Sequence, residues 1–499
     1  MSGFASLLNQ FKETTQAAAS GGGRGISKRP RSSSFEQSSS SVPHNERERK
    51  QSKIHQPEYC YPSTTPVKRI YIACPANTET GGPEALHQLC HIINSGEYYF
   101  DNDDGADTQT LNDKSNDGHD EFGRLITNNK SSSTNTDTNG KRRLKAFMLY
   151  LRERSASVEQ VFGDRSPRPS KYDKYNAPMM EHHFPPHPPE SNNSAVYSSD
   201  LVIWPEVWTH LIDSLQQSET TSRYQSAIWW LSVNNNKGKF SQHQFTLRKD
   251  VLHLVQSAYA RDYVQSKLSS EAADSGSSMT NSIGGQHHVI TMTEFIPYTS
   301  DEFPLLTIPT KKPASGKDKE SKCLYNPAKG MHFTDEIIKR ACGKQAKTER
   351  DGSVTGGGIR FCPIGKGPGG RERMTGEEVV ELLKTAKVYV DFGPHPGMDR
   401  LPREAALAGC VVITNREGAA KFDKDVPLPS EFKFQRFDAD KIFALIKECC
   451  TNHDEYVKKM DKYKSWIVGQ RSKMEDCVGQ MVNEIITKRM AVQKAKLSA

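Results

Sequence analysis

The stretch Asp391-Phe-Gly-Pro-His-Pro-Gly-Met-Asp-Arg-Leu-Pro-Arg-Glu-Ala-Ala-Leu-Ala-Gly-Cys-Val-Val-Ile-Thr414 decides how this chain folds. The apolar run KVYVDF, 387–392, leads into it, and CVVIT, 410–414, closes it; both have the length of a buried strand. Between them Gly393, Pro394, His395, Pro396 and Gly397 impose a sharp turn. Asp399 stands where a helix over 399–408 needs its N-cap, and Pro402 is tolerated because the first helical turn has no use for its N–H. Strand, turn, helix and strand in this order form a unit of parallel α/β sheet. The turn thereby falls at a strand's carboxyl end and at a helix N-terminus, where free backbone N–H groups and the helix dipole suit a phosphate or a hydroxyl. Glu404, about one turn into the helix, is placed to face the same ligand. Equally compatible is a turn merely shaped by Pro396 and Gly397, with Glu404 solvated.

Working outward, GIRFCPI (358–364) reads as a strand, and residues 375–387 as a helix opened by a Thr375/Glu378 capping box. Residues 358–414 are therefore β-α-β-α-β. The first half repeats the pattern less plainly. RIYIAC (69–74) is a strand, followed by a Gly81-Gly82 turn and a helix PEALHQLCHIIN with Ala85, Leu89, Ile92 and Ile93 on one face. LVIW (201–204), AIWWLSV (227–233) and 288–296 supply further strands; their unbroken apolar runs fit a sheet covered on both faces. The expected fold class is α/β, with two Rossmann-like domains over 66–305 and 306–440 facing a cleft, and a helical segment over 441–499.

Composition accounts for the remainder. At 35% hydrophobic residues and a mean hydropathy of −0.71, the 499-residue chain is too polar to be packed throughout. Residues 1–65, with GGGRG and SSSFEQSSSS, read as a disordered Ser/Gly/Arg-rich tail, and 101–141 as a low-complexity insertion. Smaller insertions are read at 311–322 and 341–358. The formal charge of +7 resides in the tails: nine Lys/Arg against four Asp/Glu over 1–56, and twelve against seven over 441–499, leave the body at −3. That distribution allows weak peripheral contact with anionic lipid through the tails but gives no support for a nucleic-acid cleft. Ten cysteines without a C-x-x-C pair indicate a reducing compartment. With neither a secretory leader nor an apolar run of transmembrane length, the expected location is cytoplasmic.

The segments Leu401-Pro402-Arg403-Glu404-Ala405-Ala406 and Gly409-Cys410-Val411-Val412-Ile413-Thr414 resemble the donor-binding end of family-one and family-four glycosyltransferases of the double-Rossmann (GT-B) kind. Tyr325-Asn326-Pro327-Ala328-Lys329-Gly330 resembles their Lys-Gly step after the first donor-domain strand, and Gly81-Gly82-Pro83-Glu84 their glycine turn in the acceptor domain. Ile203–Trp208, Ile228–Asn234 and Gln256–Ala260 are similar, more narrowly, to bacterial polysaccharide-type members. The resemblance spans about 300 residues. It implies transfer of a sugar from a nucleotide-diphosphate donor to a carbohydrate or other hydroxyl acceptor, with retention, without a metal, and with no cofactor beyond the donor. It further implies donor contacts from Lys329, Gly330, Gly393, Gly397, Asp399, Arg400 and Glu404, acceptor contacts from Gly81, Gly82 and Glu84, and a catalytic part for Glu404 and His395. In this family another Glu usually stands eight positions before the one at 404, and here that position is Pro396. The competing expectation is therefore a catalytically degenerate protein that binds nucleotide or glycan.

Other signals are weaker. Asp101-Asn102-Asp103 has the form of a metal-binding Asp-x-Asp but sits in the acidic insertion with no flanking strand. His182-His183 and His287-His288 lack partners at metal spacing. The tryptophans at 204, 208, 229 and 230 suit either stacking on sugar rings or, more commonly for strand residues, core packing. No G-x-G-x-x-G follows the first strand and no P-loop occurs, which argues against a dinucleotide dehydrogenase or a P-loop nucleotidase.

Overall fold

The computed structural model describes residues 67, 69–100, 142–154, 157–161, 167–180, 200–214, 225–248, 251–269, 289–297, 319–343, 348–365 and 374–497. The tail read over 1–65, the insertion read over 101–141, and the His182-His183 and His287-His288 pairs lie outside them.

The first sheet is built from β1 (Arg69–Pro75), β4 (Lys145–Arg154), β5 (Ser157–Gln160), β6 (Asp200–Pro205), β7 (Gln225–Trp230), β8 (Leu252–Val255) and β9 (Val289–Thr291). A two-stranded ribbon, β2 (Tyr99–Phe100) with β3 (Arg142–Arg143), precedes β4. The sheet order is β5-β4-β1-β6-β7-β8-β9, parallel except at the β4–β5 edge. Its central strands are apolar on both sides because both sides are covered. Ile203, Ala227 and Trp229 enter one core, while Val202, Trp204, Ile228 and Trp230 enter the other.

Helix α1 (Gly81–Ser95) lies on the first of these faces, through Ala85, Leu89, Ile92 and Ile93 as the spacing predicts. It begins at the two glycines, so Gly81-Gly82 is its first turn and not a separate one. Helix α2 (Ala258–Ser269) follows β8.

The second sheet comprises β10 (Glu320–Tyr325), β11 (Val354–Gly356), β12 (Ile359–Pro363), β13 (Ala386–Asp391), β14 (Val411–Asn415) and β15 (Lys433–Phe434). Its order is β11-β12-β10-β13-β14-β15, and only the β11–β12 pair is antiparallel. Helix α3 (Met331–Cys342) follows β10, α4 (Gly376–Thr385) precedes β13, and α5 (Arg400–Leu407) joins β13 to β14. The Thr375/Glu378 capping box opens α4 with both of its reciprocal bonds in place. The fold class is the one expected, α/β with two largely parallel sheets.

Several expectations need correction. β4 and β8 were not anticipated: in KAFMLYLRER polar ends mask the apolar middle, and LHLV is interrupted by His253, which is buried and accepts from Trp230 Nε1 at 3.1 Å. The strand read over 288–296 is confined to Val289–Thr291. The insertions read at 311–322 and 341–358 shrink, because β10 starts at Glu320 and β11 occupies Val354–Gly356.

The C-terminal segment serves both sheets. Helices α6 (Ala439–Thr451) and α7 (Asp461–Val468) pack on the second core through Ile442, Ile446, Tyr463 and Ile467. Helix α8 (Gln470–Leu497) crosses to the first, burying Met474, Val478, Met481, Val482 and Ile485 there. The crossing is fastened where Thr293 Oγ1 donates to Gln470 Oε1 at 2.7 Å.

Candidate ligand cleft

Parallel sheets expose their strands' carboxyl ends on one edge, and ligands of such sheets gather there. In this protein the carboxyl ends of β1, β6, β7 and β8 share one cleft of about 880 Å³ with those of β10 and β13. One wall carries Thr80 to Pro83, Glu206, Ser232 and Gln256; the other carries Asn326, Lys329, Asp391 and Pro396 to Leu401.

The 393–399 loop is held by close backbone approaches. A Cβ on Gly397 would stand 2.0 Å from Leu231 O, so this residue has no room for a side chain. Val233 N donates to Pro396 O at 3.2 Å and Met398 N to Gln256 Oε1 at 3.0 Å, tying the loop to the opposite wall. Gly330 has φ +58, and its missing Cβ would meet the Phe392 carbonyl at 2.6 Å.

The charges in the cleft are arranged as two balanced groups. In the first, the Lys329 ammonium lies 2.5 Å from Asp399, and the other Asp399 oxygen lies 2.7 Å from His395 Nδ1. Burial alone would raise the Asp399 pKa, but the His395 and Lys329 contacts bring it below the usual value. Burial alone would lower that of His395, and the bond to Asp399 with the charge of Asp391 carries it upward. Asp391 accepts from Tyr389 Oη at 2.9 Å and from Gly393 N at 3.3 Å. Asp391, His395 and Asp399 bring potential metal-ligand atoms within 4.8 Å of one another. A cation there would compete with the lysine already seated on Asp399.

In the second group, the Arg400 guanidinium bonds the Glu84 carboxylate through Nη1 and Glu404 through Nε at 3.3 Å. Glu84 also accepts from Lys174 Nζ at 2.9 Å and Tyr175 Oη at 2.8 Å. Burial would push its pKa up, yet Arg400, Lys174 and these bonds bring it down to about 2.

The residues singled out from the sequence thus take different places. Gly81, Gly82, Lys329, Gly397, Asp399 and Arg400 line the cleft. Gly330 and Gly393 sit behind it, allowing the close approach of the Lys329 and Phe392 segments. His395, Glu404 and Glu84 are not among its lining residues and act on those that are. Asp399 occupies the N-cap position of α5, but its side chain makes no capping bond because it serves Lys329 and His395 instead. The tryptophans are core residues, 0–3% exposed, so packing and not sugar stacking explains them.

Among the cleft residues missed are two buried acids. Glu206 is 3% exposed at the end of β6 and accepts from Leu231 N at 3.2 Å, Ser232 N at 3.1 Å and Asn235 Nδ2 at 3.3 Å. Burial raises its pKa to about 7 despite those donors. Its signal in the sequence was an acid directly after an apolar strand, in IWPEVW. Glu294 is bonded by Arg403 Nη2 in a buried pair joining the two sheets, which no local pattern announces.

No helix among the described residues is long and apolar enough to cross a membrane. No protein-family model matches the chain, and no curated protein does. Solved structures similar to it include HepE of Anabaena in complex with UDP-glucose, 11% identical, covering 84% of this chain and 99% of that one at a TM-score of 0.45. A glycosyltransferase from Rickettsia africae is 10% identical over 84% of this chain and 98% of its own, at 0.46. The trehalose-6-phosphate synthase OtsA is 10% identical over 57% of this chain and 72% of its own, at 0.39. At these values the functional reading rests on the geometry of the cleft.

Proposed function

We propose that the chain is a glycosyltransferase that takes a sugar from a nucleotide-diphosphate donor and passes it to a carbohydrate or other hydroxyl acceptor. The observation that carries this reading is the composition of the cleft at the carboxyl ends of two parallel sheets. Its volume of about 880 Å³ suits a ligand of nucleotide-sugar size. Lys329, just before α3, and Arg400, at the N-terminal end of α5, supply donors for a diphosphate, while Glu206, Glu294, Asn235, Gln256 and Asn326 supply acceptors and amides for hydroxyl groups. In this reading Lys329 leaves Asp399 to neutralise the departing diphosphate as the glycosyl bond breaks, and the 393–399 loop with Arg400 grips phosphate or sugar. Glu404, released as Arg400 turns to the ligand, accepts from ribose or sugar hydroxyls. Reaction with retention and without an obligatory metal completes the proposal.

A second reading, a binding protein that has lost transfer, is favoured by two features. Pro396 stands where an acid is usual for the family it resembles, and both cleft cations are already neutralised by carboxylates. An assay of donor hydrolysis and sugar transfer over a panel of nucleotide sugars separates the readings. Turnover abolished by Glu404→Ala supports the enzyme; binding without turnover supports the second reading and ends the first.

A further inference from the structure

Behind the cleft lies a separate cavity of about 10 Å³, lined by His395, Asp399, Arg403, Thr414, Asp425 and Tyr463 among others. Three of these side chains have one polar atom each left over. His395 spends Nδ1 on Asp399 at 2.7 Å and keeps Nε2. Arg403 spends Nε on Asp399 O at 3.1 Å and Nη2 on Met398 O at 2.6 Å and on Glu294, and keeps Nη1. Thr414 keeps its Oγ1. All three residues are 0–3% exposed, so bulk water does not reach these atoms. A buried polar atom left unpaired is destabilising.

We propose that this cavity is a built site for a single water molecule bridging His395 Nε2, Arg403 Nη1 and Thr414 Oγ1. Its volume is about what one water requires, roughly 10–15 Å³, and three polar partners is the usual number. The chemistry selects water over an ion. Arg403 can only donate, Thr414 can do either, and His395, whose Nδ1–H faces the ionised Asp399, presents Nε2 as an acceptor when neutral and as a donor when charged. A molecule with two protons and two lone pairs satisfies all three. Asp399 and Asp425 on the same walls repel an anion, and Arg403 repels a cation. The site makes Thr414 and Arg403 positioning residues. Through the water they fix the His395 ring, His395 fixes Asp399, and Asp399 holds Lys329 at the cleft.

The test uses the full chain, first by high-resolution crystallography. One density peak within about 2.7–3.2 Å of the three atoms is expected. A dry cavity, or an anomalous peak there after a bromide soak, overturns the proposal. Second, imidazole ¹⁵N resonances are compared between wild type, Thr414→Val and Thr414→Ser. The isosteric valine is expected to shift the Nε2 resonance of His395 and leave that of the distant His87 in place, while serine restores the wild-type spectrum. Unchanged His395 resonances in the valine variant contradict the bridge. Should that variant fail to fold, the wild-type crystal structure still decides.

Discussion

Arg400 and Glu84, 316 residues apart in the chain, form a part-buried ion pair that joins the N-terminus of α5 on the second sheet to the first turn of α1 on the first. Arg400 lines the cleft, and a Cβ on Gly81 would reach 2.7 Å from its side chain. The cleft is therefore held together by charge at the place where a charged ligand is proposed to act.

This pair makes acid stability a readout. The Glu84 pKa falls from 4.5 to about 2 on folding, so its contribution is fully present above pH 4.5 and is lost as pH drops through about 2. A difference of that size is worth on the order of 3 kcal/mol. Glu84→Gln is expected to lose about this much stability at pH 7 and to show a flatter acid limb, measured by urea unfolding from pH 7 to pH 2. An unchanged acid limb would show that Arg400 and Lys174 do not hold the carboxylate in solution.

Glu206 has the opposite sign. Its folded pKa of about 7 lies above the ordinary 4.5, so folding takes up a proton between these values, and the wild type loses stability as pH rises from about 4.5 to about 7. The carboxyl ¹³C resonance of Glu206 is expected to titrate near pH 7. The turn it holds, Leu231 to Val233, touches Pro396 and Gly397, so ligand affinity should change over the same interval. Titration near 4.5 would place the side chain in solvent and contradict its burial.

Gly397→Ala tests the seating of the loop. The new methyl group would overlap Leu231 O, and overpacking against backbone costs about 1–3 kcal/mol. A lower melting temperature and weaker ligand binding are expected together. Gly376→Ala is the control: it opens α4 with nothing near its Cβ, and its melting temperature should hold or rise slightly.

How much of this was legible in the sequence varied with the range of the interaction involved. The 358–414 unit was readable because its elements follow from local rules: apolar runs, a capping box at Thr375, and a proline placed where a helix begins. β4 was missed because its identity comes from pairing with β1, seventy-odd residues away, and not from its own alternation. The lining role of Gly397 and Asp399 followed from the position of their turn at a strand's carboxyl end, and that of Lys329 and Arg400 from the family resemblance. The engagement of Glu84 with Arg400 did not, since a partner 316 residues distant leaves no trace in spacing. The same holds for the crossing of α8 to the first core, where the only hint was scattered apolar residues in a charged segment.

The central claim is that this cleft binds a nucleoside diphosphate through Lys329. Thermal-shift titration of the full chain with a panel of nucleoside diphosphates and nucleotide sugars tests it most directly, because a ligand confined to the folded state must raise its melting temperature, by about 2.7 kcal/mol of stability at a hundredfold excess over Kd. At least one nucleotide is expected to give a saturable rise, and Lys329→Ala to weaken its binding roughly ten- to hundredfold, the worth of one charge-assisted hydrogen bond. No shift with any nucleotide, or a shift that Lys329→Ala leaves intact, would contradict the account.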